Sequence, residues 1–169
     1  MEQEFTSKDT SMNVVNKIYK ELNMLGLKKG ATILDWGCGK YETMQRIAEE
    51  KGYNWYGYDP FNRTYFGNFK ALSEYQMKYP DLIICSNVLN VIKEDEILID
   101  MMKSISQFMS GTTQAVFTIY EGNKSGIGEQ TTRGYQRNQR TKDYVDMLWE
   151  FFRVHKVSGN IIFTKRKGE

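Results

Sequence analysis

The sequence predicts a doubly wound α/β fold in which a mostly parallel sheet ends in an antiparallel hairpin. Short apolar runs alternate with segments of helical periodicity, which is typical of parallel strands joined by right-handed helical crossovers. The run Leu82–Cys85 is apolar throughout, as expected of a strand that is buried on both faces. Near the C-terminus, Gly159-Asn160 separates two further strand-like segments and favours a hairpin turn.

The first half of the chain predicts a flexible arm, a helix, a buried strand, a helix and a second strand. These elements span residues 1–10, 11–27, 31–36, 42–51 and 53–59. Pro60 ends the second strand because it cannot donate to the sheet. Residues 61–79 are ambiguous, with a short third strand expected near Phe69–Leu72.

The second half predicts a strand, a helix, a strand, a long loop, a helix and the two hairpin strands. They span residues 81–88, 94–109, 114–120, 121–142, 143–152, 154–158 and 161–165. The loop at 121–142 is polar and lacks apolar periodicity. Loops of this length in compact domains are usually functional, so we expect it to lie on the substrate side.

Composition limits the class of protein. A chain of 169 residues with 40% hydrophobic and 14% aromatic residues is expected to fold as one domain, 1–169. The net charge of +2 is too small to indicate a nucleic-acid partner from bulk electrostatics. No apolar run approaches the roughly 18 residues that cross a bilayer, and the acidic N-terminus does not resemble a secretory signal. We therefore expect a cytoplasmic protein without membrane contact.

The two cysteines, Cys38 and Cys85, have neither zinc-type spacing nor a disulfide pattern. Both are expected to be reduced and to pack in the interior, which suits a cytoplasmic protein. We predict no disulfide partner and no metal site.

The end of the first predicted strand carries the strongest functional signal. Its sequence Asp35-Trp36-Gly37-Cys38-Gly39 places an acidic residue before two closely spaced glycines. Ligands of such sheets bind outside the carboxyl ends of the strands, and glycine lets the backbone approach them closely.

A second acidic residue, Asp59, ends the next strand 24 positions after Asp35. It is placed to accept hydrogen bonds from ribose hydroxyls, which indicates an adenosine-containing cofactor. The alternative interpretations are a helix-capping carboxylate at Asp35 and a turn residue at Asp59.

The order of residues in the glycine turn restricts the cofactor further. The turn lacks the Gly-x-Gly-x-x-Gly pattern of nicotinamide and flavin sites, and the carboxylate of Asp35 would repel a pyrophosphate. A positive group near Asp35 is favoured instead. The methionyl ammonium of S-adenosylmethionine (SAM) meets that requirement.

These motifs resemble those of the class I SAM-dependent methyltransferases, which have a Rossmann-like fold. Ile33–Gly39 resembles the family's first motif, Gly57–Phe61 its acidic ribose-binding motif, and Asp81–Ile92 its fourth strand with the following loop. The resemblance covers nearly the whole chain and implies a seven-stranded sheet. Tyr41 departs from it because the family has a third glycine there, and the adenine-binding position has only the weak candidates Ser73 and Glu74.

The resemblance implies a cofactor site at the ends of three strands, with S-adenosylhomocysteine as the product. Asp35 and the glycine-turn backbone would hold the methionine part, and Asp59 the ribose. Phe61 would lie near the adenine, and Ser86 and Asn87 beside the sulfonium. The implied set is Asp35, Gly37, Cys38, Gly39, Asp59, Pro60, Phe61, Ser86 and Asn87.

A narrower resemblance rests on four short segments. Thr6–Ser11, Tyr58–Pro60, Val88–Ile92 and Thr131–Gln136 are similar to segments of small methyltransferase-like proteins from bacteria and their phages. That group includes proteins associated with DNA phosphorothioation. It implies the cofactor but no acceptor.

The acceptor is expected to contact the loop at 121–142, which contains five basic and two acidic residues, a local charge of +3. Arg133, Tyr135, Gln136 and Arg137 are the candidate substrate-binding residues, since cations with an aromatic can hold a phosphate and stack a base. A solvated lid and a protein-binding loop are the alternatives. Weak catalytic candidates are Asn87, Tyr135 and Glu121.

The predicted function is methyl transfer from SAM to an unidentified nucleotide, nucleic acid or small metabolite. The fourth strand lacks the Pro-Pro motif of DNA amine methyltransferases, and no Pro-Cys turn supplies the nucleophile of cytosine-carbon methyltransferases. Two alternatives stay open, namely a SAM-binding regulator or sink without transfer activity and an enzyme that cleaves SAM. The sequence does not indicate the oligomeric state.

Overall fold

A computed structural model of the chain describes residues 2–73 and 79–168. The strands are β1 (Thr32–Trp36), β2 (Asn54–Tyr58), β3 (Leu82–Ser86), β4 (Gln114–Thr118), β5 (Glu129–Thr131), β6 (Gly134–Gln136), β7 (Phe152–Ser158) and β8 (Ile161–Arg166). The helices are α1 (Ser7–Thr10), α2 (Lys17–Lys20), α3 (Thr43–Glu50), α4 (Tyr65–Ser73), α5 (Asp95–Gln107) and α6 (Val145–Trp149). Short 3₁₀ helices span Leu22–Leu25, Leu89–Val91 and Thr141–Tyr144.

The central sheet has the strand order β2-β1-β3-β4-β8-β7 over the described residues. Strands β2, β1, β3 and β4 are parallel, whereas β8 runs antiparallel to both β4 and β7. Gly159 has a φ of 58° at the tip of the β7–β8 hairpin, where glycine avoids the strain of a side chain. The predicted fold class, a mostly parallel doubly wound sheet with a terminal antiparallel hairpin, is confirmed.

The third strand expected at Phe69–Leu72 is not formed, because these residues lie within α4. The segment Tyr65–Ser73 contains no β-branched residue, and Lys70, Ala71 and Leu72 are strong helix formers. Within the described ranges the sheet therefore has six strands, one fewer than the resemblance implied, and β2 and β7 are its edge strands. Ser73 ends α4, and the other adenine-site candidate, Glu74, lies outside the described residues.

The helix predicted at 11–27 is interrupted. Residues 11–16 are not helical, and the chain then forms α2 and the 3₁₀ helix Leu22–Leu25. The interruption follows from Asn13, Val14, Val15 and Asn16, which are weak helix formers. The arm predicted at 1–10 contains the short helix α1.

Two other boundaries near the C-terminal half also differ from the prediction. The loop at 121–142 contains the small antiparallel hairpin β5–β6. The helix predicted at 143–152 is shorter, because Thr141–Tyr144 is a 3₁₀ helix and Phe152 begins β7.

The sheet is buried on both faces. Leu34 and Ile83 face the cluster formed with α5 and α6, whereas Ile33 and Ile84 face the cluster formed with α2 and α3. All four side chains are fully buried. Two covered faces explain why β3 is apolar at successive positions instead of alternating.

A buried polar cluster fastens α2 to the first two strands. The Tyr19 hydroxyl donates a hydrogen bond to the Asp35 carboxylate and accepts one of 2.8 Å from Trp55 Nε1. Asp35 is 2% exposed, and this burial raises the pKa of its carboxyl from 3.8 to about 7. Burial and the neighbouring Asp35 also raise the pKa of Tyr19 well above its usual range. The cluster therefore favours a protonated Asp35.

We predict that Asp35 makes the folded state less stable as the pH rises from about 4 to about 7. The folded protein keeps the carboxyl proton in this range, whereas the unfolded chain, with a pKa near 3.8, has released it. The contribution is complete below the unfolded pKa and is lost toward pH 7, by up to about 4 kcal/mol. Asp35→Asn keeps an acceptor for the Tyr19 hydroxyl and should remove this dependence in urea unfolding measured across the pH series.

Asp146→Asn, which changes an exposed carboxyl on α6, is the matched control and should keep the wild-type pH dependence. Asp35→Asn and wild-type proteins with the same dependence would contradict the assignment.

Candidate active site

A cleft of about 1000 Å³ opens at the carboxyl ends of β1, β2, β3 and β4. It lies where the strand order reverses, between β1 and β3, which is the usual ligand position in doubly wound sheets. Its volume suits a small-molecule ligand. The predicted site residues that line it are Gly37, Cys38, Gly39, Asp59, Pro60, Phe61, Ser86 and Asn87.

The glycine turn after β1 requires its two glycines. Gly37 and Gly39 have φ values of 77° and 71°, a conformation that other residues rarely adopt. A Cβ at Gly37 would lie 2.5 Å from Val88 Cγ2, and one at Gly39 would collide with Ser11 Oγ. The backbone N–H groups of Gly37 and Cys38 donate to the Tyr58 carbonyl oxygen at 2.7 and 3.2 Å. The turn is thus tied to the end of β2 and exposes backbone to the cleft.

Tyr41 occupies the position of the family's third glycine without straining the backbone, since its φ is not positive. The side chain lines the cleft and is 38% exposed. Its carbonyl oxygen accepts a hydrogen bond of 3.1 Å from Arg63 Nη2. The missing glycine therefore leaves the turn intact and adds an aromatic side chain to the wall.

The Asp59 carboxylate joins the glycine turn to the turn after β2. Its Oδ2 accepts hydrogen bonds from Gly39 N at 2.9 Å and Asn62 Nδ2 at 3.2 Å. Its Oδ1 accepts from Phe61 N at 2.9 Å and Asn62 N at 3.1 Å. A carboxylate has about four acceptor positions, so protein donors already fill them. A ribose hydroxyl would have to compete with these donors, and the ribose role stays a prediction.

Asp35 does not line the cleft, although the resemblance assigned it to the methionine end. It lies on the same face of β1 as Ile33, two residues earlier, and its carboxylate bonds the Tyr19 hydroxyl below the turn. The residues that follow it, Trp36, Gly37, Cys38 and Gly39, line the cleft instead.

Asn87 is the first residue after β3 and is held in an uncommon conformation. It has a φ of 56°, which asparagine tolerates better than most residues. Its N–H donates to the Thr118 carbonyl oxygen at 2.9 Å, and its Oδ1 accepts from Thr118 Oγ1 at 3.4 Å. Ser86 Oγ also hydrogen-bonds Thr118 Oγ1. The end of β4 therefore fixes both side chains at the cleft.

Arg137, expected to bind substrate, is instead buried within the loop that carries it. It is 7% exposed, and its Nε donates to the Ile92 carbonyl oxygen at 2.6 Å. Its Nη2 donates to the Lys93 carbonyl oxygen at 2.9 Å and to Asp95 Oδ1 at 2.5 Å. The guanidinium anchors the loop to the start of α5.

Gln136 has a similar structural role and is 8% exposed. Its Nε2 donates to the Tyr120 carbonyl oxygen at 2.8 Å, and its Oε1 accepts from Asn90 Nδ2 at 3.0 Å. Tyr135 is half-buried and Arg133 is exposed, and neither lines the cleft. The loop residues proposed to contact the acceptor are thus not brought together at the cleft.

Glu121, a weak catalytic candidate, also serves the loop. Its Oε1 accepts 2.8 Å hydrogen bonds from both the N–H and the hydroxyl of Thr141. Its Oε2 lies 3.4 Å from Lys124 Nζ. The hydrogen bonds from Thr141 lower the pKa of Glu121, so it is a poor proton acceptor, and it does not line the cleft.

One wall of the cleft was missed by sequence reasoning. We call residues 2–16 the N-terminal strap. The strap residues that line the cleft are Glu2, Gln3, Thr10, Ser11, Met12, Asn13, Val14 and Asn16. The prediction placed residues 11–16 in a helix and therefore not on the cleft wall. The weak helix formers at 13–16 could have indicated that the helix does not begin at residue 11.

The charges on the cleft wall have one sign. Its ionisable carboxyl groups are Glu2, Asp59 and Asp100, and no Lys, Arg or His stands among the described residues that line it. Burial raises the pKa of the Cys38 thiol to about 12, so this group is uncharged at neutral pH. The cleft therefore favours a cationic ligand over an anionic one.

The described parts of the chain contain no helix long and apolar enough to cross a membrane. They also hold no group of three or more His, Cys, Asp or Glu side chains that could bind a metal. Cys38 and Cys85 are both free thiols.

Solved structures share this fold at low sequence identity. A TehB-like SAM-dependent methyltransferase from Corynebacterium glutamicum is 18% identical with a TM-score of 0.56, over 92% of this chain and 90% of that chain. A SAM-dependent methyltransferase from Methanosarcina mazei is 13% identical with a TM-score of 0.60, over 88% and 98% of the two chains. The N-methyltransferase NodS from Bradyrhizobium japonicum is 14% identical with a TM-score of 0.53, over 89% and 94%.

No curated protein sequence matches the chain significantly. The sequence does match the family described as "Methyltransferase domain" over residues 13–155, most of its length. This match confirms the predicted methyltransferase domain, and the structural neighbours, which are SAM-dependent methyltransferases, confirm the predicted fold. The chain belongs to the methyltransferase domain family.

Proposed function

We propose that the chain, acting as a single domain, transfers a methyl group from SAM to a small acceptor at the mouth of the cleft. The observation that carries the proposal is the glycine turn at the end of β1, which opens into a cleft with acidic groups and no described cation on its wall. SAM carries positive charge on its sulfonium and its ammonium, so this wall attracts it. The same wall would disfavour the pyrophosphate of a nicotinamide or flavin cofactor.

The proposed cofactor contacts follow from the geometry of the turns. The backbone at Gly37–Gly39 approaches the ligand because no Cβ intervenes, and Phe61 lies on the wall where an adenine would stack. Asp59 orders both turns and shares its acceptor positions with a ribose hydroxyl. Asp35 joins β1, which leads into the glycine turn, to α2 through the Tyr19 hydroxyl. When bound, SAM supplies an electrophilic methyl group on a good leaving group.

The acceptor side of the cleft is formed by the ends of β3 and β4. Asn87 and Tyr120 line it, and Tyr120 is 63% exposed. Asn87 Nδ2 has no hydrogen-bond acceptor in the described part of the chain, so it can donate to an acceptor atom. Positioning alone supplies much of the catalysis of such a transfer, so the site does not require a strong base.

The proposed acceptor is neutral or cationic rather than phosphorylated. The basic loop suggested a phosphate, but Arg137 is engaged with Ile92, Lys93 and Asp95 inside the protein. Arg133 is exposed on the β5–β6 hairpin and does not line the cleft. A phosphate within the cleft would meet carboxylates without a compensating cation on the described wall, which costs binding free energy. An amine, a hydroxyl or an unphosphorylated base fits better.

The narrower likeness to small bacterial and phage proteins, including those associated with DNA phosphorothioation, is part of this proposal. Its support is spatial, because three of its segments meet beside the cleft. Asn90 hydrogen-bonds Gln136, and a Cβ at Gly134 would lie 2.8 Å from Thr10 Cγ2.

We also propose a cytoplasmic location, supported by the two free thiols.

Two other functions would use the same cleft. A SAM-binding regulator or sink would bind SAM without consuming it, and a SAM-cleaving enzyme would consume SAM alone. Product analysis distinguishes them, since a methyltransferase makes S-adenosylhomocysteine only when an acceptor is present.

We predict that Gly37→Ala weakens SAM binding at least about ten-fold, measured by isothermal titration calorimetry. The added Cβ would collide with Val88 in the turn that cradles the ligand. The matched control is Gly26→Ala, which has a similar φ of 70° and nothing within 4 Å of the added Cβ. Backbone strain should cost each variant about 1 kcal/mol of stability, and the collision with Val88 should add to the cost of Gly37→Ala, but only Gly37→Ala should change the affinity.

Wild-type protein that fails to bind SAM at high micromolar concentration would refute the cofactor. Equal affinities of the two variants would refute the glycine turn as the binding element.

We predict that the enzyme methylates an unphosphorylated compound faster than the phosphate ester of the same compound. Methyl-labelled SAM is incubated with pooled nucleosides, amines and alcohols, and separately with their phosphate esters, and the labelled products are counted. Label should enter the unphosphorylated pool at least about ten-fold faster, since the cleft wall repels phosphate. Arg133→Ala should leave this preference unchanged, because its side chain lies outside the cleft. Faster labelling of the phosphate esters would contradict the assigned acceptor class.

A further inference from the structure

The N-terminal strap crosses the cleft above the glycine turn and is held at both ends. Most of it precedes the family match, which begins at residue 13. At its C-terminal end, Ser11 Oγ accepts a hydrogen bond of 3.2 Å from Lys40 N, beside Gly39. Asn13 Oδ1 accepts one of 2.7 Å from Thr43 Oγ1 at the start of α3. These bonds place the strap directly over the turn.

The other end of the strap is attached to the β5–β6 hairpin and to the segment that precedes α5, outside the lining of the cleft. The Phe5 ring stacks on the Tyr135 ring of the β5–β6 hairpin, with centroids 6.0 Å apart and planes 11° apart. Lys93 Nζ lies 5.9 Å from the Phe5 ring centroid and pairs with the Glu4 carboxylate at 2.5 Å. The Glu4 N–H donates to Glu94 Oε1 at 3.0 Å. We call these contacts the latch.

The aromatic stack contributes most of the free energy that holds the latch closed. The Glu4–Lys93 pair is exposed on both sides, and ion pairs of this kind contribute little in water. A stacked aromatic pair contributes about 0.5–1.5 kcal/mol beyond the surface that it buries. The loss of the Phe5 ring is therefore the change that opens the latch.

Ser11 has a donor available to a ligand. Its Oγ accepts from Lys40 N and lines the cleft, and the described residues offer no acceptor for its hydroxyl proton. The neighbouring N–H groups of Gly37 and Cys38 already donate to the Tyr58 carbonyl oxygen, and that of Gly39 donates to Asp59, so the Ser11 hydroxyl is the donor that this part of the described wall offers. A hydroxyl with an available proton suits a hydrogen-bond acceptor such as a carboxylate, and the amino-acid end of SAM carries one.

We propose that the strap forms the closing wall of the cofactor site, that Ser11 binds the carboxylate of the cofactor's amino-acid part, and that the Phe5–Tyr135 latch sets how long the cofactor stays bound. This inference rests on the proposed use of SAM. Because the latch lies on the hairpin beside the acceptor side, cofactor release requires the strap to leave the hairpin.

The Ser11 contact is tested by comparing two ligands that differ in the amino-acid part. SAM and 5′-methylthioadenosine, which lacks that part, are titrated by calorimetry into wild type, Ser11→Ala and the exposed hairpin control Ser158→Ala. A hydrogen bond to a charged group corresponds to about ten-fold or more in affinity. Ser11→Ala should therefore weaken SAM about ten-fold and leave 5′-methylthioadenosine within about two-fold, and Ser158→Ala should change neither.

An unchanged affinity of Ser11→Ala for SAM, or an equal loss for both ligands, would overturn the Ser11 assignment. Wild-type protein that binds neither ligand would refute the proposed function, and this inference with it. The two failures are thus distinguishable.

The latch is tested by the dissociation rate of SAM, measured by stopped-flow displacement with S-adenosylhomocysteine. Phe5→Ala should speed dissociation about two- to twelve-fold, which is the rate equivalent of one aromatic pair. Tyr135→Phe keeps the stacked ring and should match wild type. Phe66→Ala makes the same change at an exposed position on α4, outside the strap, and should also match wild type. Dissociation from Phe5→Ala at the wild-type rate would overturn the latch.

Discussion

The buried carboxylate of Asp59 is the constraint on which the cleft depends. One oxygen binds the glycine turn at Gly39 and the other binds the turn after β2 at Phe61. The side chain is fully buried, so these charge-assisted bonds act where water does not compete. Two loops that follow different strands are thereby fixed relative to each other, and the backbone of the glycine turn keeps its conformation without a ligand.

The second organising feature is the attachment of the long loop to the turn after β3. Arg137 caps the carbonyl oxygens of Ile92 and Lys93, and its own N–H donates to the Asn90 carbonyl oxygen at 2.9 Å. The loop in turn holds Phe5 of the strap through Tyr135. Elements far apart in the chain thus meet beside the cleft, where the hairpin holds the strap, and the strap and the end of β3 line the cleft.

The sheet and the glycine turn could be predicted because their signals are local. The apolar run of β3 and the residues Gly37 and Gly39 each reflect a single backbone requirement, which a short segment states by itself. The partners of polar side chains could not be predicted. Whether Arg137 faces a ligand or a carbonyl oxygen depends on where the turn after β3 lies in space. The residues near Arg137 in the sequence do not determine the position of that turn. The same limit applies to Asp35, whose partner Tyr19 comes from a helix that was predicted with different boundaries.

The buried guanidinium of Arg137 has a consequence for how this chain can diversify. It fixes the base of the β5–β6 hairpin, whereas the hairpin tip between Thr131 and Gly134 projects into solvent on the strand ends. Residues inserted at the tip would lengthen the hairpin without disturbing its base, since loop extension costs little free energy. Such an insertion would leave the shape of the cofactor cleft unchanged, because no described residue of the hairpin lines it. Arg137 thus fixes the base of the hairpin and leaves the length of its tip unconstrained.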